Sequence, residues 1–262
     1  GHWVWGGGWL SQTGFSDFAG SGAVHMCGGI AALVATIGVG PRIGKYVNGK
    51  SVAIPGHNIS MAMLGGFILW VGWYGFNPGS ELAFDDVTLY TTVTTTFAAS
   101  AGGLTALFFT WIKYGKPDPT LAMNGALAGL VAICTGVAEV TYIGSMIIGV
   151  IAATMFTISV SVIDNKFHID DVAGAISLHG MSGSLGVILP GFLSTENGFF
   201  YGGGAGRLIS QFIGMISIWV FTVICVSIII FILKKTIGIR VPEEIELAGL
   251  DITEHGMIAY PE

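Results

Sequence analysis

The sequence predicts an all-α polytopic membrane protein, and three observations predict it. Only 10% of the 262 residues are charged and 52% are hydrophobic, with a mean hydropathy of +0.75, whereas soluble domains carry about a quarter charged residues. Seven runs free of Asp, Glu, Lys and Arg approach or exceed the roughly 20 residues that cross a bilayer as a helix. None shows the short alternating segments of a closed barrel, so each is read as a spanning helix.

The first run, 18–41, opens on Asp17-Phe-Ala-Gly-Ser-Gly-Ala-Val-His25 and so carries an imidazole within it. The second, 60–80, ends in Gly72-Trp-Tyr-Gly-Phe-Asn-Pro-Gly-Ser80, an aromatic stretch closed by a Pro-Gly turn. The third, fourth and fifth span 87–112, 120–138 and 140–163. The sixth, 172–193, follows Asp170-Asp171 and holds Leu178-His179-Gly180; the seventh is 208–233. Glycine occupies 41 positions, and the spacings Gly75-xxx-Gly79 and Gly125-xxx-Gly129 are those that let membrane helices approach closely.

Orientation follows from the basic residues. Arg42, Lys45 and Lys50 follow the first run, Lys113 and Lys116 the third, Lys166 the fifth, and Lys234, Lys235 and Arg240 the seventh. These loops share one side and leave Arg207 on the other, which by the positive-inside rule puts the basic side in the cytoplasm. Residues 1–237 are then a membrane domain that starts outside, and 238–262 a polar cytoplasmic tail whose Ile245, Leu247, Leu250 and Ile252 are spaced for packing on that face. The chain begins with Gly1 in mid-motif rather than with Met, so its natural start is expected upstream.

The net charge of -6 says little about the membrane part, because six of the sixteen acids follow Val241. Cys27, Cys134 and Cys225 lie in apolar runs without CxxC spacing and read as buried thiols. No phosphate loop, nucleophile elbow, dinucleotide fingerprint or nucleic-acid surface is present in the sequence, and neither an enzyme, a cofactor nor a metal is expected.

The chemistry rests on His25 and His179. A buried ionisable side chain is costly in lipid, so two of them in different spans point to a shared function more strongly than either alone. A single one reads equally as a satisfied core imidazole. Adjacent imidazoles can pass a proton, since one ring nitrogen donates while another accepts, and the pair is predicted within hydrogen-bonding distance in an apolar lumen. Two histidines without further ligands make a poor zinc site. Asp17 reads as a cap of the helix that carries His25, and the capping reading is given to Asp170 ahead of His179.

Together His2-Trp-Val-Trp5-Gly-Gly-Gly, Asp17 to His25, Gly72 to Ser80, Asn124-Gly-Ala-Leu-Ala-Gly-Leu, Asp170-Asp171 with Leu178-His179-Gly180, and the tail segments Arg240-Val-Pro-Glu-Glu, Gly249-Leu-Asp and His255-Gly resemble the Amt/Mep/Rh family of ammonium transporters, on the Amt side, from end to end. The resemblance implies an ammonium-transporter-like helical bundle with seven transmembrane helices of an expected eleven, so that the chain lacks the first four spans. It implies a homotrimer in the plasma or inner membrane, each subunit passing ammonium or ammonia through its own pore, with a PII-type signal protein acting at the cytoplasmic tail. Trp5 and Ser80 match its outer substrate site, Phe76 a gate phenylalanine, Trp73 a pore-wall aromatic, and His25 and His179 its twin histidines, with Asp17, Asp171 and Asn77 in structural support. Asn124 departs from the small hydroxyl residue that many relatives carry, and is expected near the recruitment site.

Overall fold

A computed structural model describes residues 1–258 and Tyr260; the last part of the tail, Ala259, Pro261 and Glu262, lies outside the described residues. After two short helical turns, His2–Trp5 and Trp9–Gln12, the chain forms α1 (Ser21–Val39), α2 (Ile59–Phe76), α3 (Asp86–Tyr114), α4 (Pro119–Ile133), α5 (Tyr142–Asn165), α6 (Ile176–Leu193) and α7 (Gly206–Thr236). Helix α8 (Glu243–Ala248) lies in the tail. A two-stranded hairpin, β1 (Tyr46–Val47) with β2 (Lys50–Ser51), joins α1 to α2.

Short polar residues in the loops start four of these helices by taking orphan backbone N–H groups. Asn58 accepts from Met61 N–H ahead of α2, and Thr141 from Gly144 N–H ahead of α5. Asp85 accepts from Val87 and Thr88 N–H at α3, and Asp118 from Thr120 and Leu121 N–H at α4, where Pro119 occupies the first turn. Gly115 ends α3 in the left-handed conformation that glycine adopts without strain.

Among the described residues six helices are long and apolar enough to cross a membrane; α4, with 15 residues, corresponds to the fourth predicted span and is shorter. The sequence carries it to 138, yet it ends at Ile133 because its last carbonyls take partners from other elements. Ser21 Oγ donates to Val131 O at 2.8 Å, and Phe18 and Ala19 N–H donate to Thr135 and Cys134 O. The segment before α1 thus stops α4, and α4 holds that segment.

Helices α3, α4 and α5 form the tight centre, where Ala98, Ala99, Leu130, Val131 and Ile148 are buried. Here the expected small-residue contact is realised, with Gly125 against Gly102 and Gly129 against Ala98 backbone. Gly75 and Gly79 have no neighbour at their Cβ positions, so the first spacing makes no packing seam among the described residues. Outward residues of α2 and α7, such as Phe67, Ile229 and Phe231, are exposed, as lipid-facing side chains are.

At the basic end, the Asn48-Gly49 turn closes the hairpin, both residues having positive φ. Asp164 of α5 anchors it by accepting from Lys45 Nζ, Tyr46 Oη and Ser51 Oγ. The described part of the tail meets the same face through polar contacts, and of the apolar residues expected to pack there Ile245 alone is partly buried. Glu246 accepts from Ile43 N–H at 2.9 Å and pairs with both arms of Arg240, while Leu247, Leu250 and Ile252 are exposed. The short α8 offers the Glu246 carboxylate to the Ile43 N–H, with Ile245 partly buried and Leu247 exposed. At the opposite end the single Arg207 is neutralised by Glu139, which also accepts from Ser194 Oγ.

Candidate functional site

His25 and His179 are each carried on a π-helical turn, Ser21–Met26 and Ile176–Met181. Such turns bond i to i+5, as His25 N–H does to Gly20 O at 3.0 Å, and recur at functional sites. Neither turn is capped by its own first residue; an aspartate upstream does it. Asp17 accepts from Gly20, Gly22 and Ala23 N–H at 3.0, 2.9 and 2.8 Å, and from Thr135 Oγ1 at 2.7 Å. Asp171 accepts from Ile176 N–H, Ser177 N–H and Ser177 Oγ at 3.0, 3.0 and 3.1 Å. The capping role given to Asp170 therefore belongs to Asp171. Asp170 instead takes three bonds from Arg42, because its carboxylate points at the loop after α1.

These two segments are one pattern used twice. Asp17-Phe-Ala-Gly20 leads to His25 as Asp171-Val-Ala-Gly174 leads to His179, and both glycines take positive φ. Sequence reasoning noted each spacing without aligning the two. The helices run antiparallel and cross closely: a Cβ on Gly29 would collide with Gly180, and one on Gly183 with Ser21 and Met26.

The crossing brings the imidazole centroids to 5.2 Å, with 17° between the ring planes. His25 also lies 5.0 Å from Trp73 and 5.0 Å from Phe76, so α2 supplies its other neighbours. The two histidines, Trp73, Phe76, Leu69, Leu127 and Leu178 border a cavity of about 540 Å³ whose other walls are Ile68 and Gly72. The predicted adjacency in an apolar lumen is thus present, but among the described residues no hydrogen bond joins the rings, and His25 Nε2 and His179 Nδ1 have no partner. The expectation of a hydrogen-bonded pair is corrected to that extent: packing against Trp73 and Phe76 places the ring without pairing those nitrogens.

Trp5 is half-exposed and donates from Nε1 to Asp17 O at 2.7 Å. Ser80 lies just past α2 and donates to Phe76 O at 2.6 Å. Both belong to the expected outer mouth, though among the described residues no hydrogen bond joins them. Asn77 is fully buried, its Nδ2 donating to Thr95 Oγ1 at 3.2 Å, and so ties the end of α2 to α3. Asn124 is not at that mouth. It borders a second cavity with Ala62, Met63 and Thr120, at the end of α2 opposite Ser80, because α4 rises from the basic side.

The sequence profile of the Ammonium Transporter Family matches residues 1–260. The chain belongs to the ammonium transporter family. It is 44% identical over 285 residues to the ammonium transporter Amt2 of Archaeoglobus fulgidus, covering 100% of this chain and 60% of that protein. It is 39% identical to the ammonium transporter of Bacillus subtilis, covering 99% and 66%. Among solved structures, a protein described as Sensor Amt Protein superposes with a TM-score of 0.92 at 35% identity, over 97% of this chain and 65% of that one. Mep2 of Candida albicans does so with 0.86 at 30% identity, over 93% and 56%. The ammonium transporter family member described here thus spans about three fifths of the length of the curated relatives it matches first.

Proposed function

We propose that this chain is the larger part of a protein that moves ammonium across the plasma or inner membrane, and one observation carries the reading: two imidazoles 5.2 Å apart in a cavity with otherwise apolar walls. Ammonium is held at the outer mouth by the face of Trp5 and by Ser80, and gives up a proton before the narrow part beyond Phe76. A bare cation would pay several kcal/mol of desolvation there, and ammonia far less, so deprotonation is the selective step. His25 and His179 relay the proton while ammonia crosses beside them, and the net species moved is ammonium. Asp17, Asp171 and Asn77 shape the path without touching the solute.

The protein acts as a homotrimer with one pore per subunit. Its tail, 238–262, lies in the cytoplasm and regulates the pore, and a PII-type signal protein blocks the pore from that side. The docking of Glu246 on Ile43 supports an ordered tail.

Current across liposomes on adding ammonium to the full-length protein tests the reading; a saturating, ammonium-dependent current is expected. A second reading, an ammonium sensor that binds without passing its ligand, draws support from the likeness to the Sensor Amt Protein. Binding with neither current nor ammonia flux would favour it. Ammonia flux without current would instead make the protein an electroneutral channel.

A further inference from the structure

We propose that Gln211 and Arg42, neither of which borders the cavity, are the positioning residues of the two imidazoles: Gln211 sets His25 and Arg42 sets His179. Each histidine turn is capped by an aspartate, and in both cases the residue just before that aspartate is held by more than one hydrogen bond from a single remote residue. Ser16 precedes Asp17; its N–H donates to Gln211 Oε1 at 2.9 Å, and Gln211 Nε2 donates back to Ser16 O at 2.9 Å. The same Nε2 donates to Val187 O at 2.8 Å, which ties α6 into the grip. Asp170 precedes Asp171; its carboxylate accepts from Arg42 Nε and Nη2 at 2.8 and 2.9 Å and from Arg42 N–H at 3.0 Å.

A capping carboxylate fixes a turn only as well as its own backbone is fixed. Among the N–H groups held by each aspartate, the one nearest the imidazole lies two residues before it, Ala23 for His25 and Ser177 for His179. The grip on the preceding residue therefore passes through one peptide link and the capping carboxylate to each ring, and on the His179 side first through the Asp170 side chain. Gln211 and Asp170 are buried, 0% and 4% exposed, so water does not replace these bonds.

The two grips differ in kind. Gln211 is a neutral amide inside the bundle, whereas the Arg42–Asp170 pair is ionic and the Arg42 side chain is 35% exposed. Added salt weakens a partly exposed ion pair and leaves a buried amide bond unaffected. The setting of His179 is therefore salt-sensitive and that of His25 is not.

The inference rests on the transport reading only for its consequence for flux, so two measurements separate them. Full-length protein labelled with ¹⁵N-histidine reports each imidazole by NMR, and liposome current reports transport. Gln211→Leu should move the His25 signals and spare those of His179; Arg42→Gln and high salt should do the reverse, with Arg42→Lys intermediate. Tyr90→Phe, which loses a hydrogen bond to Val140 O remote from both caps, should move neither. If Gln211→Leu fails to fold, Gln211→Glu keeps the acceptor for Ser16 N–H while losing the two donations, and the His25 signals should still move. Variants that leave both imidazoles unchanged, or shift both alike, overturn the proposal. Signals that move as stated in a protein without current would keep the positioning roles and sink the transport reading.

Discussion

Asp17 and Thr135 share a 2.7 Å hydrogen bond that joins the start of the His25 turn to the end of α4. With three backbone N–H groups on the same carboxylate, Asp17→Ala leaves several buried donors without a partner. A loss of about 2 kcal/mol or more is expected, from the cap together with the orphaned groups. Thermal unfolding in detergent should show it, with Asp17→Asn between the two. An unchanged midpoint in Asp17→Ala would mean that the turn holds itself.

Replacing Trp5 by Leu removes the aromatic face proposed to hold ammonium and the bond to Asp17 O. The cation–π contribution is about 0.5 to 2 kcal/mol, so the ammonium concentration giving half-maximal current should rise roughly two- to thirtyfold. The same half-maximal concentration in wild type and variant would leave Trp5 as an interface anchor.

His25→Ala and His179→Ala should each sharply reduce the ammonium current, and the double variant should lose no more than either single one, because a relay of two parts fails as a unit. Liposome recordings on the three proteins decide it. Independent, multiplying losses would assign the rings separate tasks.

A version ending at Ile239 lacks α8 and with it the Glu246 contacts. Its transport should differ from that of the intact protein, and its inhibition by the PII protein should be altered. Equal transport and equal inhibition in both would make the tail passive.

The same contact gives a pH dependence. The Arg240 guanidinium beside Glu246, aided by the Ile43 N–H, holds that carboxyl below the usual carboxylate range. A lowered folded value means that the contact stabilises docking above the unfolded value and is lost as pH falls through the folded one. The tail should stay docked at neutral pH and come away in acid below the usual glutamate range. Hydrogen exchange at Ile43 and in the tail should follow this, and protection that survives acid would place the anchor elsewhere.

Much of this was legible in the residues. Runs without charge gave the helices, and their basic loops fall on one end as the alternation requires. The histidines were legible because a buried imidazole is conspicuous where every other ionisable group is missing. The early end of α4 was not, since Thr135 to Ala138 remain apolar enough to continue; what stops the helix is Ser21, from far away in sequence. The choice between Asp170 and Asp171 turns on which carboxylate Arg42 reaches, a fact of the fold. The π-helical turns leave no mark in the hydrophobic pattern, because one extra residue in a short turn changes too little. Two signals were present and unused: the Asn48-Gly49 turn, which announces a hairpin, and the doubled Asp-x-Ala-Gly ahead of each histidine.

That doubling bears on rectification. Because the two histidine segments run in opposite directions through the same crossing, a solute moving as proposed would from either end meet an aspartate-capped turn and then an imidazole, in the same order. On the proposed transport reading, the backbone at the middle of the path is therefore nearly reversible and confers no preference for import over export. Any one-way character must be imposed at the rims, where the symmetry fails: Trp5 and Ser80 on one side, the Arg42 loop and the tail on the other.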